Sequence, residues 1–242
     1  VSNDVQDIEI VSRYVSPADC LDEVIDGFGN HKYVGHYTDN HRRFEYEVEG
    51  IAKVRGMQIQ KDELHPMYKF PSRYTIPGDG LKYYADSLII PDDPLKGAAK
   101  IMESLHRDFK YTPGTTDIYT TAEEAWEQQE GVCQDYAHIM IALCRLKGIP
   151  ARYVNGLMIG EGYNHAWVEI YTGEGWYGLD PTNHLHIDDY YIKLAHGRDY
   201  GDCVLDKGLF RGATKKQTQE IYVNVEEITD DRDSGIYGTS RR

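Results

Sequence analysis

The spacing of apolar residues changes at Gly148-Ile149-Pro150, and this change limits the fold more than any other feature of the 242-residue chain. Between Leu95 and Phe109, apolar residues recur every three or four positions, as in an amphipathic helix. A glycine followed by a proline ends a helix, and beyond them the apolar spacing becomes two, as in a strand. Helices followed by strands predict an α+β fold in which a helix packs on an antiparallel sheet.

Three helices are predicted, over residues 95–109, 122–129 and about 132–147. The second has Thr121 as its N-cap, and Glu124 three residues later completes a capping box. The strands that follow the third helix are predicted over residues 151–158, 165–171, 176–179, 190–195 and 221–225.

The first ninety residues have the pattern of strands and turns. Phe44, Tyr46 and Val48 alternate with glutamates, and the segment 26–30 carries two glycines suited to a tight turn. Prolines at 91 and 94 punctuate the chain before the first predicted helix. We therefore predict a β-rich N-terminal domain over 1–93, a core over 94–229 and a polar, flexible tail over 230–242.

The charge balance and the cysteines exclude several classes of protein. The net charge is −14, from 26 Lys and Arg against 40 Asp and Glu, and such a surface repels phosphate backbones and anionic lipid. No apolar run approaches the ~20 residues of a membrane span, and residues 1–10 lack the pattern of a signal peptide. The four cysteines have no short paired spacing, which argues against a disulfide framework or a zinc knuckle. We expect a cytoplasmic protein without nucleic-acid or membrane partners.

Cys133 lies in the first turn of the third predicted helix, on its apolar face. The field of a helix N-terminus stabilises a thiolate, and the free amides of that turn can donate to an oxyanion. These are the requirements of a cysteine nucleophile. The alternative interpretation is a small buried side chain, since cysteine is among the most buried residue types.

His165 and Asp180 supply the partners that such a nucleophile needs. His165 begins one predicted strand and Asp180 ends the next, with a turn at 172–175 between them. Antiparallel pairing makes the start of one strand a neighbour of the end of the other. Each residue alone is more often structural, but with Cys133 they match a Cys-His-Asp triad.

Four sequence blocks in this region carry a resemblance to a known family. They are GVCQDYAH at 131–138, GIPARY at 148–153, HAWVE at 165–169 and GLDPTN at 178–183. Together they resemble the bacterial transglutaminase-like superfamily. The resemblance extends upstream to DGFGN at 26–30 and PSRY at 71–74, and downstream to GRDY at 197–200 and GLFRG at 208–212.

The resemblance implies a papain-like α+β core preceded by a small β-rich domain. It also implies that Cys133 is the nucleophile, that His165 is the general base and then the acid, and that Asp180 orients His165. Members of the superfamily include transglutaminases, cysteine peptidases and amidases, which share an acyl-thioester and differ in whether an amine or water resolves it. We expect this protein to need no cofactor. For the second oxyanion donor, the candidates are Gln128, Gln129 and Trp126.

Other motifs are better explained without catalysis. His138 lies 140° around the helix from Cys133 and is expected to make a structural contact. Residues 173–178 match GxGxxG by letter, but a strand follows where a phosphate-binding loop needs a helix. One loop carries four side chains of types that can bind a metal ion: His184, His186, Asp188 and Asp189. A loop that contains these residues by chance is the simpler interpretation, so we expect no metal.

The leading expectation is a hydrolase that cleaves a peptide or amide bond in a peptide or protein substrate. A transamidase that joins a glutamine side chain to an amine is the first alternative, and a dry tunnel beside Cys133 would favour it, because water must be excluded. The second alternative is a catalytically silent module that binds a peptide in a groove lined by some of the 20 tyrosines. The oligomeric state stays open.

Overall fold

The computed structural model describes residues 2–55, 59–160, 162–209, 211–212, 218–230 and 233–241, with side chains described as far as residue 228. Phe210, within the downstream sequence block, lies outside the described residues. The helices are α1 (Asp79–Ser87), α2 (Pro94–Asp108), α3 (Ala122–Gln128) and α4 (Cys133–Leu146). The strands are β1 (Gln6–Ser16), β2 (Cys20–Ile25), β3 (His31–His36), β4 (Glu45–Val54), β5 (Lys110–Tyr111), β6 (Glu130–Gly131), β7 (Ala151–Met158), β8 (His165–Tyr171), β9 (Trp176–Asp180), β10 (Leu185–His186), β11 (Tyr191–Gly197), β12 (Tyr222–Asp230) and β13 (Asp233–Arg241).

Helix α4 lies at the centre of the largest hydrophobic cluster, between the other helices and a five-stranded sheet. The strand order of that sheet is β10-β9-β8-β7-β11, and every pairing in it is antiparallel. Side chains of α4 such as Ile139, Ile141 and Leu143 are fully buried there. The predicted α+β fold, with a helix packed on an antiparallel sheet, is confirmed.

Local signals explain where these helices begin. At α2, the Asp93 side chain accepts from the amide of Lys96 and Pro94 occupies the first turn. At α3, Thr121 and Glu124 form the predicted capping box, which confirms that helix start.

The N-terminal region is β-rich, as predicted. Strands β1 and β4 form a four-stranded sheet with the C-terminal strands, in the order β1-β4-β13-β12. Strands β2 and β3 form a separate hairpin, whose turn contains Gly29 at a φ of 83°. A positive φ strains residues with a side chain, so glycine suits this turn.

Two buried carboxamides attach the N-terminal region to the edge strand β11. Gln6 donates to the carbonyl of Lys193 at 2.7 Å and accepts from its amide at 3.0 Å. Asn30 makes the same pair of bonds with His196, at 2.8 and 2.9 Å. Each side chain thereby takes the place that a neighbouring strand would occupy, so the edge of the sheet is closed.

Replacing Asn30 with Ala is expected to lower the free energy of unfolding by about 2 kcal/mol, because the amide and carbonyl of His196 would lose buried partners. Urea unfolding followed by tryptophan fluorescence measures the change. Asn40→Ala, at an exposed position, serves as the control. Equal stability of the two variants would contradict the contribution assigned to Asn30.

A buried arginine ties the segment before α1 to the core. Arg145, in the last turn of α4, donates to the carbonyls of Tyr68 (3.1 Å) and Arg198 (2.8 Å) and to the hydroxyl of Thr75 (2.7 Å). Burial lowers the pKa of Arg145 to about 10, and nearby Asp199 opposes that shift. Residues 137–146 are mostly apolar, and Arg145 is the cation among them. Its hydrogen bonds make it a structural cross-link.

Two details differ from the predicted division of the chain. Helix α1 lies before the predicted boundary at residue 93, yet its Leu81 and Ala85 belong to the hydrophobic cluster around α4. The prolines near residue 93 mark the start of α2, which is a local event and does not separate α1 from the core. The prediction of a flexible tail is wrong for residues 233–241, which form β13 and pair with β4 and β12. Strand pairing uses backbone groups, so a polar composition does not prevent it.

Candidate active site

Cys133 is the first residue of α4 and is half-buried. The turn before it is held by Asp135, whose Oδ2 accepts from the amide of Val132 at 2.8 Å and from the hydroxyl of Thr116 at 2.7 Å. Burial raises the pKa of Asp135, against the effect of these two hydrogen bonds. Asp135 is thus a buried cap of the helix, and the thiol next to it lies at the positive end of the helix dipole.

His165 begins β8 and Asp180 ends β9, as the sequence predicts. The two strands are antiparallel, with Val168 opposite Leu179. His165 Nε2 and Asp180 Oδ2 are 2.8 Å apart, and both residues are buried. The hairpin therefore brings together two side chains separated by 15 positions in the chain.

The carboxylate of Asp180 accepts five hydrogen bonds. Its Oδ1 accepts from the amides of Thr182 (2.9 Å) and Asn183 (3.2 Å). Its Oδ2 accepts from His165 Nε2, from Asn183 Nδ2 (2.8 Å) and from the Tyr191 hydroxyl (2.9 Å). Burial alone would raise the pKa of Asp180, but the hydrogen bonds and the charge of His165 hold it below its usual value. Asp180 is therefore ionised at neutral pH.

Cys133 also acts on the imidazole of His165. Burial would lower the pKa of His165, but its hydrogen bond to Asp180, its interaction with Cys133 and the charges of both groups outweigh burial and raise the pKa to about 10. The hydrogen bond between His165 and Asp180 and the effect of Cys133 on the imidazole bring the three residues named from the sequence into one region of the protein.

The three candidates for the oxyanion donor lie around the end of α3. Gln128 and Gln129 are exposed, and Gln129, at a φ of 59°, donates from its side chain to the carbonyl of Trp126. The Trp126 ring packs on Tyr84, with ring centroids 4.3 Å apart. Their role as oxyanion donors stays a prediction.

Tyr191 and the side chain of Asn183 are contacts of Asp180 that the sequence interpretation did not assign. Asn183 was part of a recognised block, and its position three residues after Asp180 is compatible with a local turn. Tyr191 lies on β11, which is not a sheet neighbour of β9. An alternating pattern predicts such a strand but does not show which residue of another strand its side chains reach.

The other histidines have structural partners. His138 is fully buried, its Nε2 accepts from the amide of Tyr200 at 3.1 Å, and its ring stacks on Tyr74. Burial lowers its pKa to about 3, with a further effect of Arg145, so the ring is neutral. His186 is hydrogen-bonded to the Tyr177 hydroxyl at 3.1 Å. Within the described residues, no three His, Cys, Asp or Glu side chains are grouped in a way that would hold a metal ion.

Comparisons with known proteins give the family of the chain. Residues 84–181 match the model of the transglutaminase-like superfamily. An uncharacterized protein of Mycobacterium tuberculosis is 30% identical over 237 residues, which cover 83% of this chain and 75% of the relative. The chain belongs to the transglutaminase-like superfamily.

Two further relatives and one solved structure are similar to this transglutaminase-like protein. A Mycobacterium leprae protein is 35% identical over 156 residues, covering 60% of this chain and 56% of the relative, so the chain spans little more than half of that protein. A protein-glutamine gamma-glutamyltransferase of Pseudomonas aeruginosa is 33% identical over 100 residues, 35% of this chain and 15% of the relative. The crystal structure of a candidate cysteine protease from Cytophaga hutchinsonii aligns with a TM-score of 0.64 and 22% identity, covering 100% of this chain and 89% of that one. That likeness shows the fold.

No helix within the described residues has both the length and the apolar character needed to cross a membrane.

Proposed function

We propose that this protein hydrolyses a peptide or amide bond of a peptide or protein substrate through an acyl-thioester, with Cys133, His165 and Asp180 as its catalytic triad. The observation that carries the proposal is the 2.8 Å contact between His165 Nε2 and Asp180 Oδ2, with Cys133 at the start of α4 close enough to act on the same imidazole. A thiol, an imidazole and a carboxylate in that order are what nucleophilic acyl transfer requires.

The reaction would proceed in two halves. The Cys133 sulfur attacks the carbonyl carbon of the scissile bond as a thiolate, its proton having passed to His165. His165 then donates that proton to the leaving nitrogen, the carbon–nitrogen bond breaks, and an acyl-thioester remains on Cys133. In the second half His165 takes a proton from water, the hydroxide attacks the thioester, and a carboxylic acid leaves as the thiol is restored.

Asp180 and the start of α4 would support both halves. Asp180 accepts a hydrogen bond from His165 Nε2, which stabilises the imidazolium and leaves the other ring nitrogen to hold the proton of the thiol. Since the pKa of His165 is about 10, the imidazolium is retained up to that pH and lost above it. The free amides in the first turn of α4 would donate to the oxyanion that forms at the scissile carbonyl.

The reactivity of Cys133 tests this function. Iodoacetamide is expected to alkylate Cys133 faster than an ordinary thiol at pH 6, because a neighbouring imidazolium favours the thiolate. His165→Ala is expected to lower that rate about 100-fold, since an ordinary thiol is more than 99% protonated at pH 6. Mass spectrometry of tryptic peptides measures both rates.

The same digest supplies an internal control. Burial raises the pKa of the Cys144 thiol to about 12, so this fully buried cysteine should stay unlabelled in the folded protein. Cys20 is half-buried, with its sulfur 3.0 Å from Nδ1 of His36, and its peptide must be followed separately. A Cys133 rate equal to that of an ordinary thiol in both proteins would refute the triad.

A transamidase is the second candidate, and the likeness to the Pseudomonas aeruginosa protein-glutamine gamma-glutamyltransferase favours it. The two reactions differ only in whether water or an amine attacks the acyl-thioester. Incubation with a glutamine-containing peptide and a fluorescent primary amine separates them. Incorporation of the amine into the peptide would identify a transamidase, while release of a carboxylic acid alone would identify a hydrolase.

A silent binding module would use a surface other than the triad. A cavity of about 510 Å³ lies at the four-stranded sheet of β1, β4, β13 and β12. Its lining includes three tyrosines and three glutamates: Tyr14, Tyr46, Tyr222, Glu45, Glu47 and Glu220. Binding of a peptide with equal affinity to wild type and Cys133→Ala, together with an unreactive Cys133, would support this module over the enzyme.

A further inference from the structure

We infer that Tyr191 and Asn183 are positioning residues that hold the Asp180 carboxylate in the orientation in which it binds His165, a role that rests on the proposed function. Both donate to Asp180 Oδ2, the oxygen that also accepts from His165 Nε2. Asn183 lies beyond the end of β9 and Tyr191 lies on β11, so the hairpin β8–β9 does not by itself supply either donor.

Three donors converge on one oxygen of Asp180. The distances to Oδ2 are 2.8 Å from His165, 2.8 Å from Asn183 and 2.9 Å from Tyr191. A carboxylate that accepted only from His165 could rotate about its Cβ–Cγ bond and lose the alignment with Nε2. Donors from two further directions, together with two backbone amides on Oδ1, restrict that rotation.

Tyr191 is itself held in place. It is 4% exposed, and its ring packs edge-on against Trp167 with centroids 5.5 Å apart. Two residues further along β11, the backbone of Lys193 is paired with the side chain of Gln6. The hydroxyl that reaches Asp180 is therefore carried by a strand fixed from both sides, and the N-terminal region contributes to that fixation.

Asn183 lies in the turn after β9, three residues beyond Asp180. Its side-chain amide donates to Oδ2 and its backbone amide donates to Oδ1, so one exposed residue contacts both oxygens of Asp180. Each donor also stabilises the carboxylate charge, which is the direction in which Asn183 and Tyr191 shift the pKa of Asp180. Removal of either donor should make Asp180 easier to protonate.

The test measures Cys133 alkylation by iodoacetamide against pH in Tyr191→Phe and Asn183→Ala. We expect the acid limb of the profile to move to higher pH in both variants, with the rate on that limb about tenfold below wild type, because each change removes one hydrogen bond to a charged group. Tyr190→Phe, at the exposed neighbouring position on the same segment, should match wild type. Once a substrate is known, kcat should fall while KM stays unchanged.

A spectroscopic readout separates positioning from general damage. The proton between His165 Nε2 and Asp180 gives a downfield NMR resonance, which should shift in Tyr191→Phe and Asn183→Ala and stay in place in Tyr190→Phe. Should Tyr191→Phe not fold, Asn183→Ala at its exposed position tests the same contact with Oδ2. An unchanged pH profile and an unchanged resonance in a folded variant would overturn the inference.

Failure of the inference and failure of the proposed function give different results. If His165→Ala leaves the alkylation of Cys133 unchanged, the proposed function fails. If His165→Ala lowers the rate while Tyr191→Phe and Asn183→Ala both behave like Tyr190→Phe, the triad stands and only the positioning role is refuted.

Discussion

Replacing Asp180 with Asn is expected to lower the rate of substrate hydrolysis about 10⁴-fold while the protein stays folded. The expected size follows from Ser-His-Asp triads, in which the same change has an effect of about that order. The substitution keeps the shape of the side chain and removes its charge, so the loss reports the state of His165.

The physical reason is the tautomer of the imidazole. Every neighbour of the Asp180 carboxylate donates a hydrogen bond: two backbone amides contact Oδ1, and three side chains contact Oδ2. In Asp180→Asn the remaining oxygen should stay with the backbone amides, which places the NH₂ group against His165 Nε2. His165 Nε2 must then accept, so the ring proton moves to Nδ1. In that tautomer the nitrogen left for the Cys133 proton is already protonated, so His165 can no longer take it.

The measurement is hydrolysis of a peptide amide that the wild-type protein cleaves, with Cys133 alkylation at pH 6 as a substrate-free readout. Asp189→Asn, at an exposed position in the loop before β11, is the matched control and should retain wild-type rates. Activity of Asp180→Asn within about tenfold of wild type would mean that Asp180 does not orient His165.

The largest loss of stability is expected from Glu169→Gln, at about 4 kcal/mol of the free energy of unfolding. Glu169 is buried between two cations: its Oε2 lies 2.5 Å from Arg152 Nε and 2.7 Å from Lys193 Nζ. Burial alone would raise the pKa of Glu169, but the charges of Arg152 and Lys193 lower it below its usual value. The carboxylate therefore carries a charge that its neighbours require.

The expected cost arises from the cations left behind. Arg152 and Lys193 are 2% and 4% exposed, and the remaining anion, Asp62, contacts Arg152 at 3.2 Å from a partly exposed position. Burial already lowers the pKa of Lys193 to about 8, and Glu169 opposes that shift. Without the charge of Glu169, burial of both cations is under-compensated, which is far more costly than loss of a surface ion pair.

Urea unfolding of Glu169→Gln measures this loss, and Glu174→Gln provides the control, because Glu174 is exposed in the turn after the same strand. The control is expected to change stability by less than about 0.5 kcal/mol. A similarly small change in Glu169→Gln would show that the buried pairs contribute little net stability. Glu169 lies in one of the blocks that carry the family resemblance, and its contacts show a structural role.

Local sequence signals were sufficient for helices α2, α3 and α4 and for strands β7, β8, β9 and β11. The capping box at Thr121, the prolines before α2 and the Gly148-Ile149-Pro150 stop each act within a few residues, so they are legible in one chain. The alternating pattern likewise predicted β7 and β8 with the bounds that the structure has.

Contacts between distant segments were not predictable in the same way. The pairing of β13 with β4 and the packing of α1 on α4 join segments that have no local signal for each other. Tyr191 reaches Asp180 for the same reason: the alternation of β11 predicts two faces, while the partner of each face depends on strand order.

The sequence by itself determined the α+β class, the helix that begins at Cys133 and the hairpin that carries His165 and Asp180, because helix caps, turn residues and hydrophobic period are local. Only the tertiary structure decided which donors complete the Asp180 carboxylate, how Glu169 is enclosed by two cations and how Gln6 and Asn30 close the edge of β11. The physical reason is that burying a charge or a free backbone group requires a partner, and in a folded chain that partner comes from whichever segment the packing brings near.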